Sequence, residues 1–117
     1  MRFFFLAIII LSLLGCKETT DNNPALPDLH NTNWNLHYKY NGFSFYAETE
    51  LRFHSDTTFE NIGVSDTVYG NWKVKDDSLV LYFDNTAVFR GVAISDDSLA
   101  GTMYNALTHG VWSAGRK

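Results

Sequence analysis

Val68–Phe83, VYGNWKVKDDSLVLYF, holds two runs of period two separated by a polar turn. In the first run Val68, Gly70, Trp72 and Val74 alternate with Tyr69, Asn71, Lys73 and Lys75. In the second, Leu79, Leu81 and Phe83 share one face, with Val80 and Tyr82 on the other. Successive side chains of a strand point to opposite sides, so each run reads as a strand with one buried face. Between them, Asp76-Asp77-Ser78 is turn chemistry, because these side chains bond to nearby backbone groups and so compete with a continuing strand.

The same grammar extends in both directions. Asn41-Gly42 is a two-residue hairpin signal, since both positions accept positive φ. Further turns fall at Ser55-Asp56-Thr57, Ser65-Asp66-Thr67, Asp84-Asn85-Thr86 and Asp96-Asp97-Ser98, with a looser break from Asn105 to Gly110. Their spacing, mostly eight to twelve residues, is that of an all-β sandwich or barrel. Asp76-Asp77-Ser78-Leu79 recurs as Asp96-Asp97-Ser98-Leu99, two strands and two turns later, which convergent turn chemistry explains without a duplication. Upstream, Trp34, Leu36, Tyr38 and Tyr40 oppose Asn35, His37 and Lys39. Between Ala87 and Ile94 two phases compete; the one carrying Phe89, Gly91 and Ala93 inward keeps Arg90 in water. No window supports a long amphipathic helix. Seven turns imply eight strands, and short sequential connections favour a meander whose closure removes the exposed edges. The fold expected is an all-β, eight-stranded antiparallel up-and-down barrel over residues 32–117, with a sandwich as the alternative.

Eight strands enclose a space just wide enough for side chains or one small ligand. The expected inward set is bulky: Trp34, Leu36, Tyr38, Phe43, Phe45, Leu51, Phe53, Phe59, Val68, Trp72, Val74, Leu79, Leu81, Phe83, Phe89, Leu99, Met103 and Trp112. Such volume tends to fill a barrel as core. The competing reading makes Tyr38, Phe45, Trp72 and Met103 the lining of an apolar cup at one mouth, where methionine adapts to irregular shapes.

Met1-Arg2, an apolar run from Phe3 to Leu14 and a small residue before Cys16 have the form of a secretory signal. The run is too short to span a bilayer as a helix. Residues 17–31 are polar, contain both prolines and lack periodicity, which reads as a tether with a mean reach of about 20 Å for a flexible chain. The chain carries nine basic and thirteen acidic residues, a net charge of −4. Loss of Arg2 with the leader makes the mature value about −5, with the acids scattered through turns, and this excludes the basic footprint of a nucleic-acid binder.

Catalytic chemistry finds little support. Cys16 is the only cysteine, so a thiol nucleophile, a zinc thiolate site and a disulfide are not expected. His30, His37, His54 and His109 show no metal-ligand spacing within a strand. There is no Gly-x-Ser-x-Gly elbow and no phosphate-cradling loop. Glu48 and Glu50 share a strand face, where paired carboxylates usually meet water. Neither enzymatic activity nor a cofactor is expected.

Leu13-Leu14-Gly15-Cys16 resembles the lipobox of bacterial lipoproteins. That resemblance implies cleavage after Gly15 (residues 1–15 as signal peptide), acylation of Cys16, and a lipidated tether over residues 16–31. Lys17 stands where an aspartate would favour inner-membrane retention, so the resemblance points to the outer membrane, at its periplasmic face or the cell surface. From Asn33 to Lys117 the chain resembles the small lipocalin-like barrels of such lipoproteins, through Asn33-Trp34, Leu51-Arg52-Phe53, Gly70-Asn71-Trp72, Leu79-Val80-Leu81 and the closing Gly110-Val111-Trp112-Ser113-Ala114-Gly115-Arg116. The resemblance implies a cation–π contact of Arg116 over Trp34 that seals one end. The glycine of the lipocalin Gly-x-Trp is replaced here, and the chain is shorter than a full lipocalin. The Asp-Ser/Thr turns also resemble the O-glycosylation acceptor of some Gram-negative bacteria, a pattern that turn chemistry alone would generate.

The function these readings imply is a lipid-anchored, non-catalytic barrel that binds a small apolar ligand. The alternative is an inhibitor-type or assembly lipoprotein with a filled barrel that binds an envelope protein through exposed apolar residues such as Val80, Tyr82, Tyr46, Tyr69 and Tyr104.

Overall fold

The computed structural model describes residues 24–117, so the expected leader and the lipid site at Cys16 lie outside the described residues. Eight strands follow one another: β1 Asn33–Tyr40, β2 Ala47–Phe53, β3 Thr58–Ile62, β4 Thr67–Lys75, β5 Ser78–Phe83, β6 Val88–Ser95, β7 Ser98–Tyr104 and β8 His109–Arg116. Each pairs antiparallel with the next, and β1 pairs with β8, which closes the barrel. The fold is the up-and-down barrel that the turn spacing predicts.

Alternation sets the faces as expected. Trp34 and Leu36 of β1, Leu51 and Phe53 of β2, Phe59 of β3, Leu79 and Leu81 of β5, Phe89 and Ala93 of β6, Leu99 and Met103 of β7, and Trp112 and Ala114 of β8 all point inward and are buried. The phase that keeps Arg90 outside is the one adopted. Three members of the expected inward set are exposed instead. Phe43 and Phe45 lie in a six-residue loop, because Asn41-Gly42 turns the chain without joining the strands. Gly42, at φ 94°, closes a turn in which the Phe43 N–H bonds the Tyr40 carbonyl, but β1–β2 pairing resumes only at Tyr38 with Ala47. Val74 keeps its inward phase but stands at a strand end, above the packed interior. On the outer face Val80 is buried, flanked in register by Lys73 and Arg90.

Large side chains fit only where the neighbouring strands are bare. The Trp112 indole of β8 lies along the inner wall over Gly101 of β7 and Gly91 of β6, and its Nε1–H donates to the carbonyls of Arg90 (3.1 Å) and Thr102 (3.0 Å). A Cβ on Gly91 would lie 2.4 Å from that ring and 2.5 Å from the Ala100 carbonyl oxygen. Gly91→Ala therefore displaces the tryptophan or the β6–β7 ladder, and a loss of about 1–3 kcal/mol is expected in chemical denaturation.

The packed unit begins before the first strand. Leu29, within the segment read as tether, is 2 % exposed, and Leu26 packs against the same cluster. The Trp34 Nε1–H donates to Thr32 Oγ1 (2.9 Å), whose own hydroxyl donates to the Leu29 carbonyl (2.6 Å). Residues Leu26–Thr32 thereby form a plug across the end of the barrel at which β1 starts. Leu29→Ala is expected to cost about 2–5 kcal/mol in equilibrium unfolding, as for other core leucines; a loose tether at this position would give no change.

Candidate functional site

The two ends of the barrel differ chemically. The first comprises the start of β1, the end of β2, the β4–β5 turn and the end of β8. Here Trp34 lies beneath Arg116, with the guanidinium carbon 5.9 Å from the ring centroid. The two residues are cross-strand partners. Trp72 packs edge-on against Phe53, with centroids 5.6 Å apart, and His30 of the plug covers it at 4.9 Å. This end is sealed.

The opposite end is open. A cup of about 350 Å³ lies inside the wall there, lined by Tyr38, Tyr40, Thr49, Asn61, Gly63, Asp66, Val68, Phe83, Asn85, Ala87, Phe89 and Asn105. One side is an aromatic arc from β1, β5 and β6. Centroid separations are 6.1 Å for Tyr40–Tyr38, 5.8 Å for Tyr38–Phe89 and 4.6 Å for Phe89–Phe83. The other side is polar and comes from β2, β3 and the β3–β4 loop. Asn61 is in phase with Phe59 and so projects inward. It is only 8 % exposed, and its Oδ1 has no hydrogen-bond partner; the same is true of Thr49 Oγ1. A buried acceptor left unpaired costs about 1–3 kcal/mol. Two such groups on one cavity wall mark a place where something with donors is meant to sit.

Of the four residues expected to line a cup, the structure brings Tyr38 alone to this one. Met103 is wholly buried in the core. Phe45 is 71 % exposed on the rim loop. Trp72 sits at the sealed end. Period two determines which face a residue takes but not its height in the barrel, and Trp72 lies far along β4 from the open mouth. Asn61, Thr49 and Asp66 were missed. The signal for Asn61 was present, as a polar residue in the inward phase of an otherwise apolar strand.

A larger depression of about 600 Å³ runs over the outside of β3 and β4, past His54, Glu60, Tyr69 and Asn71. It contains none of the unpaired buried atoms and reads as surface relief. The histidines each meet a single partner: Asp28 for His30 (2.7 Å), Glu48 for His37 (3.1 Å), Glu60 for His54 (3.0 Å) and Asn41 for His109 (2.8 Å). Glu50 binds Arg52 (2.6 Å) and Lys117 (3.1 Å), and these hydrogen bonds hold its carboxyl below the ordinary range. Among the described residues, no three His, Cys, Asp or Glu side chains converge as a metal site would require.

Comparison of the chain with protein-family models, with curated proteins and with solved structures gives no match. The fold and the cup define the class on their own: a closed up-and-down barrel sealed at one end and hollow at the other.

Burial raises the pKa of Tyr38 above the usual tyrosine range, and the neighbouring Tyr40 and Asp66 raise it further. The folded state thus favours the neutral phenol. This contribution to stability is complete below the ordinary tyrosine pKa and is lost as pH rises through the elevated one. In a spectrophotometric titration Tyr38 should ionise late; Tyr38→Phe should remove that late component, and Asp66→Asn should move it to lower pH.

Proposed function

We propose that this protein is a lipid-anchored, extracytoplasmic, non-catalytic barrel, similar to the lipocalin-like domains of bacterial lipoproteins, which binds a small molecule in the open cup. The anchor would be acylated Cys16 in the outer membrane. The observation that carries the binding reading is Asn61: a polar side chain buried at the cup wall with its carbonyl oxygen unpaired, beside the unpaired Thr49 hydroxyl. Selection for stability alone would favour an apolar residue at that position. The wall also revises the ligand. An aromatic arc facing amide, hydroxyl and carboxylate groups suits a molecule of mixed polarity better than a purely apolar one.

One observation favours a protein partner as the second reading. Phe43, Phe45 and Tyr46 of the β1–β2 loop, Val64 of the β3–β4 loop and Leu107 of the β7–β8 loop are all exposed around the same mouth. Apolar residues gathered at one rim suit a macromolecular contact.

Native mass spectrometry of the protein isolated in mild detergent from its own host separates the two. The expected result is a small-molecule mass, lost on denaturation, on a polypeptide that begins at an acylated Cys16. Asn61→Leu should abolish the adduct while raising the stability of the empty barrel by about 1–3 kcal/mol, because it removes a buried unpaired group. A bare wild-type barrel would overturn small-molecule binding and leave the rim as the site of interest.

A further inference from the structure

We infer that the cup is a site for a primary ammonium group, so that the ligand is a small organic amine; this rests on the cup being the binding site. The inference follows from the polarity of the lining. Asp66 is its one charged residue, and it includes no lysine, arginine or histidine. Lys39, on the strand that supplies Tyr38 and Tyr40, points outward and lies over the Tyr46 ring at 5.5 Å. An anionic ligand would therefore meet a carboxylate and no counter-charge.

The unpaired groups can take donors, although the Thr49 hydroxyl and the Asn61 NH₂ can also donate. Asn61 Oδ1 can only accept, and Thr49 Oγ1 has lone pairs free to accept. An ammonium group offers three N–H donors and needs no acceptor function in return. The facing wall, from Tyr38, Tyr40, Phe83 and Phe89, is aromatic and adds no positive charge to compete with a cation. Two amides at the rim are placed differently. Asn85 Oδ1 accepts the Ala87 N–H, and Asn105 Oδ1 accepts the N–H groups of Leu107 and Thr108. Their NH₂ groups remain free to donate in the cup lining, so a neutral acceptor on the ligand's outer end would be accommodated there. The ammonium would lie against Asn61, Thr49 and Asp66, and the carbon chain against Val68, Phe83 and Phe89.

The test is a titration of the full-length protein, stripped of any native ligand, with pentylamine, pentanol and pentanoate, read by calorimetry and by the side-chain amide resonances of Asn61. At neutral pH pentylamine and pentanol share a pentyl tail, pentanoate has a tail one methylene shorter, and the three differ in head charge. Pentylamine should bind and shift Asn61, pentanol should bind at least about tenfold more weakly, as expected for loss of charge-assisted hydrogen bonds, and pentanoate should not bind. Asp66→Asn should weaken pentylamine about tenfold and pentanol by much less, since only the amine loses an opposite charge. Asp66 is an exposed loop residue whose structural bond, from the Gly63 N–H, is accepted by its backbone carbonyl, so the substitution leaves the fold intact. Equal binding of pentanol and pentylamine at Asn61 would overturn the cationic preference and leave the cup a ligand site. No shift at Asn61 with pentylamine would also overturn it, and the native adduct would then decide separately whether the cup binds anything.

Discussion

Closure governs everything else in this molecule. β1 meets β8 in a continuous register from Trp34–Arg116 to Tyr40–Gly110, so the ladder has no free edge and the circumference is fixed. A fixed circumference of eight strands leaves an interior about one layer of side chains wide. The largest inward residues then need small ones on the strands beside them. Trp112 lies over Gly91, and Phe59 lies against Gly70, where a Cβ would come within 2.5 Å of the phenyl ring. These glycines are demanded by volume rather than by backbone conformation, and together with their aromatic partners they form a single packing unit.

The constraint also explains why the ends differ. At the sealed end the inward positions are Trp34, Phe53 and Trp72, and the segment before β1 adds Leu26 and Leu29. At the other end the inward positions of β2 and β3 shrink and turn polar, to Thr49 and Asn61, while β1 contributes the half-buried Tyr38 and Tyr40. The same short strands thus carry a gradient from apolar and full to polar and hollow. Filling the hollow with aliphatic residues would be the simple route to stability. The chain instead keeps unpaired acceptors there.

Much of this architecture was legible in the sequence. Seven Asx- and Ser-rich turns, and alternation such as that of Leu79, Leu81 and Phe83, determine the number of strands and their faces, because turn chemistry and the pleat are local properties. The mouth was less legible, since height within a barrel depends on register between strands. Trp72 and Phe45 show this in opposite ways: one is inward but at the wrong end, the other lies near the right mouth but on a loop that the Asn41-Gly42 signal had seemed to shorten. Leu29 was hidden for a related reason. A lone leucine among Pro, Asp and His gives no periodic signal, and its place in the core follows only from the Thr32–Trp34 hydrogen bonds that draw the segment across the barrel end.

The direction of the chain gives these two ends a further meaning. Residues Leu26–Thr32 lie across the sealed end, so the N-terminal side of the chain leaves the barrel there, at the pole opposite the cup. With the lipid anchor proposed at Cys16, the sealed end is the one held nearer the membrane and the cup opens away from it. Under that proposal a ligand would exchange with the aqueous compartment, which fits a polar cup better than one built to take an acyl chain from the bilayer. The apolar rim of Phe43, Phe45, Val64 and Leu107 faces the same way. It borders the mouth of the cup, so the apolar surface and the polar hollow lie together at the end of the barrel away from the N-terminal plug.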